Sequence, residues 1–192
     1  MPSKSTASRS ELASHVMREV RIGKVTINTC VGKSGEPLER AKKILTEIVG
    51  QTPCSRNARR TVKDWGIREG EPISCMVTLR GDKAQLFMRN ALDAIGNKLK
   101  ESSFDEKGNF GFGIREHIEI PGTRYVPELG IIGMTINVTL ERPGFRTKRR
   151  TRQRTMVGRT HEITKAEAIR FIKQKFPVEI SGVDVIGEAE AA

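Results

Sequence analysis

The stretch RPGFRTKRRTRQRTMVGR, running from Arg142 to Arg159, carries eight Arg or Lys side chains and no carboxylate. Seven of the eight are arginine, whose planar guanidinium forks onto phosphate oxygens and stacks on bases. The whole chain holds 34 basic and 23 acidic residues, a net charge of +11. Without this stretch 26 basic residues face 23 acidic ones, or +3, so the excess is concentrated rather than spread. A local field of one sign repels itself unless counter-charge arrives, and the chemistry it suits is the grip of a polyanion. A second stretch, SRNARRTVKDWGIREG, holds Arg56, Arg59, Arg60, Lys63, Arg68 and the only tryptophan, Trp65. Basic residues interleaved with an aromatic suit backbone contact plus base stacking. An equally open reading makes Trp65 a core residue with a bonded indole N–H.

Other chemistries fit poorly. The GKS at Gly32 to Ser34 lacks the glycine that a phosphate loop needs five positions before Gly32, where Ile27 stands in a strand pattern. Gly108, Gly111 and Gly113 precede a strand pattern instead of following one, the reverse of a dinucleotide fingerprint. His15, His117 and His161 have no second His or Cys at ligand spacing. If Glu116 and His117 are neighbours on a strand they face opposite ways, which argues against an acid–base pair. Cys30, Cys54 and Cys75 are odd in number and widely spaced, expected as small packing residues in a reducing cytosol. No apolar run approaches the ~20 residues of a spanning helix. The expectation is therefore no enzyme, no cofactor, no metal and no membrane, with nucleic acid as the partner.

The elements that must position these residues read as α+β. EVRIGKVTINTCV alternates as a strand from about Glu19 to Val31, with a hitch at Gly23-Lys24. SGEPLERAKKILTEIVG reads as a helix with Pro37 in its first turn, Gly50 past its end and Leu38, Ala41, Leu45 and Ile48 on one face. The basic stretch after it is either a long loop or a ragged hairpin. ISCMVTLRG is a strand, and a helix capped by Asp82 runs to Leu99, with Leu86, Phe87, Ala91, Leu92, Ile95 and Leu99 as its apolar face. FGIREHIEI and IIGMTINVTLE read as two more strands, and ITKAEAIRFIKQKF as a helix with a Thr164/Glu167 capping box, closed by Pro177. This order lacks the βαβα rhythm of a parallel sheet, and predicts a mostly antiparallel sheet with helices packed on one face. A flexible polar tail is expected over residues 1–17, a single domain over 18–178 and an acidic tail over 179–192.

Five ordered motifs, KVTINTCVG, GQTP, VTLRG, GNFGFGIREHI and GRTHEITKAEAIRF, together resemble the large-subunit ribosomal protein family that accompanies 5S ribosomal RNA in the central protuberance. The family is called L-five in bacteria and L-eleven in eukaryotes, and GNFGFGI, EHI and RPGF are similar to its archaeal and eukaryotic branch. The resemblance spans about Arg18 to Phe176. It implies a curved sheet with helices on the convex side. It also implies a 5S contact at Asn28, Gln51, Thr78 and Arg80, and a loop toward peptidyl-site transfer RNA that carries Arg56, Arg59, Arg60, Lys63, Trp65 and Arg68. The long basic stretch matches the family's extension after the last long strand. Its Arg146, Lys148, Arg149, Arg150, Arg152, Arg154 and Arg159 are candidate contacts to large-subunit ribosomal RNA. Neighbouring ribosomal proteins, including one of the small-subunit head, are implied partners, and a cytoplasmic location follows. A free-standing RNA-binding assembly factor built on the same sheet is the alternative.

Overall fold

A computed structural model describes residues 16–181. The Ser-rich start and most of the acidic end, for which tails are expected, lie outside the described residues, as does His15. Within them a five-stranded sheet takes the order β2-β3-β1-β6-β5. Its strands are β1 (Arg21–Cys30), β2 (Cys54–Asn57), β3 (Pro72–Leu79), β5 (Phe110–Ile114) and β6 (Met134–Glu141), and every neighbouring pair is antiparallel. Helices α1 (Glu36–Val49), α2 (Gly81–Ala94) and α4 (Lys165–Lys175) contribute Leu38, Phe87 and Ile172 to the same core. A one-turn helix α3 (Arg146–Arg149) lies in the long basic segment. The two short strands β4 (Lys98–Lys100) and β7 (Glu179–Ser181) pair in parallel.

Alternation decides which sheet face is covered. Val25 and Ile27 on β1, Cys75, Val77 and Leu79 on β3, and Ile136, Val138 and Leu140 on β6 are buried. Their sequence neighbours Thr26, Asn28, Met76 and Thr78 are half-buried, while Thr135 and Asn137 are exposed. Side chains at successive strand positions point to opposite faces, so one face is apolar and packed under helices. The other is polar and open. The expected hitch in β1 is a register shift between Ile22 and Lys24. It leaves Gly23 against Glu141, where a Cβ would stand 2.7 Å from the carboxylate carbon.

Several expectations need correction. The second helix ends at Ala94, because Gly96 and Asn97 take positive φ and Asn97 N–H returns to the Leu92 carbonyl. Leu99 is buried on β4 instead, opposite Ile180. Leu86 is exposed, since it is out of phase with the Ala84, Phe87, Met88, Ala91, Leu92 stripe. Asp82 lies in the first turn and makes no capping bond; Arg80 holds the N-cap position. The strand expected through EHIEI stops at Ile114, and His117–Glu119 forms a 3-10 turn. There His117 and Ile120, three apart, both point inward, a helical spacing instead of a pleated one. The acidic stretch from Glu179 opens with three residues held in β7. Cys75 packs in the core as expected, but Cys30 and Cys54 are exposed because their strand parity is that of the open face. The expected capping box is present: Glu167 N–H donates to Thr164 Oγ1, and Thr164 N–H donates to the Glu167 carboxylate.

Candidate nucleic-acid interface

The open sheet face is built by register. Thr26 pairs with Thr78 on one side and with Asn137 on the other, and Asn137 pairs with Gly111. Asn28 pairs with Met76 and Thr135, and Thr135 with Gly113. Hydroxyls and amides therefore form rows across the sheet, offering donors and acceptors suited to base edges and 2′-hydroxyls. Asn28 is diagonal to Thr78, a separation of about 7–8 Å between such neighbours. Arg80 is exposed just beyond Leu79, at the end of the sheet where β1 begins and β6 ends. Gln51 is half-buried in the turn before β2. Cys54 opposes Met76, so extending that register backward carries the chain at Gln51 to the level of Leu79, at the Arg80 end of β3. Thr78 and Arg80 thus follow one another on the open face, Asn28 stands on the same face one step nearer the end of β1 at Cys30, and Gln51 lies outside the strands at the Arg80 end of β3.

The stretch from Arg56 to Arg68 is the ragged hairpin of the two sequence readings. Its base is the β2–β3 pairing, and its tip is an isolated bridge between Val62 and Ile67 around the turn Lys63–Trp65. Ser34 Oγ donates to Glu71 at 2.5 Å, and the Arg68 backbone N–H donates to the same carboxylate. Those hydrogen bonds, the Ser34 hydroxyl foremost, hold the Glu71 pKa below its ordinary value. Trp65 is 76 % exposed, which removes the core reading for it. Ile67 is the buried anchor of the tip instead. Arg56, Arg59, Arg60, Lys63 and Arg68 are all exposed.

The long basic segment is an excursion closed at its base. Arg142 is 6 % exposed; it donates to Glu167 at 2.9 Å and to the Glu162 carbonyl at 3.4 Å. His161 Nε2 meets the Pro143 carbonyl at 2.8 Å, and its ring packs edge-on against Phe145. Burial pushes the Glu167 pKa up, but the Thr164 N–H and the Arg142 guanidinium outweigh it and leave the carboxyl below its ordinary value. Arg142 is therefore a structural fastener and not part of the free charge. Arg149 is compensated as well: it donates to Glu141 at 2.7 Å, and Arg21 lies 3.6 Å from the other oxygen of that carboxylate. Arg146, Lys148, Arg149, Arg150, Arg152, Arg154 and Arg159 are all exposed, so seven of the eight cations reach solvent. The two histidines among the described residues, His117 and His161, have structural surroundings. His117 is buried, with Nδ1 accepting from Ile132 N–H at 3.4 Å, and burial pushes its pKa down. No group of three or more His, Cys, Asp or Glu able to hold a metal exists among the described residues. No helix there is long and apolar enough to cross a membrane.

Two comparisons decide the family. The family model described as "Ribosomal protein L5" matches residues 15–68, and the model for the C-terminus of the same ribosomal family matches residues 72–171. The chain belongs to the ribosomal L5 family. Archaeal relatives named large ribosomal subunit protein uL5 are similar over most of its length. That of Sulfurisphaera tokodaii is 49 % identical over 165 residues, 85 % of this chain and 93 % of the relative. That of Aeropyrum pernix is 50 % identical over 163 residues, covering 84 % and 85 %. That of Nitrosopumilus maritimus is 44 % identical over 165 residues, covering 86 % and 95 %.

Within this family frame, the structure adds residues that motif reading missed. Thr26, Thr135, Asn137 and Thr139 extend the polar face around Asn28 and Thr78. The signal was available for β6, since MTINVTLE alternates with Thr and Asn at every second position. Lys24 and Lys107 are different. They stand alone in sequence, and only folding brings them beside Arg80 and Arg154, around one cleft.

Proposed function

We propose that this chain docks 5S ribosomal RNA on the open sheet face through Asn28, Gln51, Thr78 and Arg80. On this reading the hairpin of Arg56, Arg59, Arg60, Lys63, Trp65 and Arg68 meets peptidyl-site transfer RNA, and the long basic segment meets ribosomal RNA. Family membership makes the chain a non-enzymatic ribosomal protein of the large subunit. The observation that carries the finer assignment is the uncovered polar face, where Thr78 and Asn28 stand in rows of hydroxyls and amides with Arg80 at their end. An antiparallel sheet can leave one face to water; what supports the reading is that this face sets hydroxyl and amide donors and acceptors where a folded RNA can reach them. The implied contact with a small-subunit head protein belongs to the same proposal.

The test is a titration of the protein with 5S RNA, transfer RNA and an unrelated RNA of equal length, at two salt concentrations. The expected result is preferential 5S binding that the Thr78→Ala, Arg80→Ala double variant reduces more than it reduces binding of unrelated RNA. Equal loss for every RNA, with folding intact, would mean that the face does not discriminate.

A further inference from the structure

The sheet-end residue Arg80 and the basic segment, separate features in the sequence, are two walls of one cleft of about 490 Å³. Lys24 and Arg80 stand on the sheet side, together with Thr139 of β6. Lys148, Arg149 and Arg154 stand on the segment side, and Lys107 comes from the turn before β5. Two carboxylates, Glu141 and Glu162, share the lining. Six cations against two carboxylates leave +4. Glu141 is already engaged by Arg149 and Arg21. Lys24, Arg80, Lys107, Lys148 and Arg154 make no ion pair among the described residues. The cleft is of the size that small-molecule sites take, about 300–1,000 Å³, room for a nucleotide-sized anion. It adjoins the Thr26–Thr78 row, because Lys24 and Arg80 are the next outward positions on the same strands.

Resting on the RNA-docking reading above, we infer that one continuous RNA strand crosses from the sheet face into this cleft, with its phosphates held between Lys24, Arg80 and Lys107 on one side and Lys148 and Arg154 on the other. The sheet face and the basic segment therefore serve a single RNA and not two. Glu141 is a positioning residue. By pinning Arg149 to the end of β6 it holds the segment at the distance that keeps the cleft open, and the missing side chain of Gly23 gives that carboxylate its room.

The experiment measures 5S RNA affinity against salt for the unaltered protein and for Arg80→Ala, Lys107→Ala, Arg154→Ala and Arg60→Ala, with melting curves as the folding control. Affinity falls with salt, and each lost phosphate contact lowers the magnitude of that negative slope of log affinity against log salt, called the slope below, by about 0.7–0.9. Arg80→Ala, Lys107→Ala and Arg154→Ala are expected each to lower the slope for 5S RNA by that amount, and Arg60→Ala to leave it unchanged. If Arg80→Ala lowers the 5S slope while Lys107→Ala and Arg154→Ala do not, the two walls hold different ligands and the inference is wrong, though 5S docking stands. If adenosine monophosphate or inorganic phosphate raises the melting temperature without competing with 5S RNA, the cleft is a free-anion site and the inference is equally wrong. No 5S binding by the unaltered protein overturns the docking reading and this inference together. Glu141→Gln is expected to weaken 5S binding, and stronger binding would show Glu141 to be a competitor of phosphate instead of a support.

Discussion

The two basic regions sit at opposite ends of one sheet and are built on different plans. The hairpin leaves from the end where Asn57 pairs with Pro72. The long segment leaves from the end where Arg21 pairs with Glu141. The hairpin has a ladder at its base, one buried anchor at Ile67 and cations that all face solvent, with Trp65 at the tip. The long segment has no ladder. Its base is closed by Arg142 with Glu167 and by His161 with Pro143, and Glu141 holds its middle through Arg149. A hairpin of that kind presents a stacking surface away from the sheet. A segment fastened beside the open face can only share that face. The rigid sheet between them sets the distance at which two RNAs could be bound at once.

The comparison can be broken most severely at the sheet itself. Ile27 is fully buried at the centre of β1, and truncating such a residue costs about 2–5 kcal/mol. Ile27→Ala is expected to lower the melting temperature and to weaken 5S and transfer RNA binding in parallel, because both regions hang on this strand and its partners. Unequal loss of the two activities at a temperature where the variant is partly unfolded would show that one region folds without the sheet.

A sharper separation comes from Trp65→Ala. Stacking of a base on an aromatic is worth about 1–3 kcal/mol, or roughly a 5- to 150-fold rise in Kd. That loss is expected for transfer RNA alone, with 5S affinity unchanged and stability altered by no more than about 0.5 kcal/mol, as for other exposed positions. Weakened 5S binding in this variant would place the hairpin and the sheet face on one RNA.

The smallest effect is that of pH. His117, between α1 and the loop that precedes β6, has its pKa pushed down by burial against the pull of Glu47 and Glu116. The unfolded chain therefore binds this proton more readily than the folded one. Stability from the neutral ring is present above the ordinary histidine value, about 6.5, and is lost as pH falls below it. Glu71 and Glu167 have lowered folded values. Their contribution is present above the ordinary carboxylate range and is lost only as pH falls through those lower values. Melting between about pH 7.5 and 5.5, the window around the ordinary histidine value, should thus report His117. His117→Gln, which keeps an acceptor for Ile132 N–H, is expected to flatten that part of the curve. A curve of unchanged slope would assign the dependence to other groups.

Local pattern carried much of this structure. The β1 bulge at Gly23, the α1 helix from Pro37 to the left-handed Gly50, and the Thr164/Glu167 box were legible because each depends on residues within a few positions of one another. The boundaries that failed depended on distant partners. Leu99 leaves the helical pattern to oppose Ile180, and His117 turns inward to meet Ile132. Among the candidate site residues, Asn28, Thr78 and Arg80 were legible through strand parity and motif. Lys24 and Lys107 were not, because single lysines carry no periodic signal.

By itself the sequence determined an α+β chain with its positive charge concentrated in one segment, since composition and alternation are local quantities. Only the tertiary structure decided which of those charges are free. Arg142 is buried on Glu167 and Arg149 is held by Glu141, whereas Lys24, Lys107, Arg80 and Arg154 meet around one cleft. The physical reason is that charge compensation and cleft formation act over a few ångströms of space, and the strand register, not the chain order, brings those ångströms together.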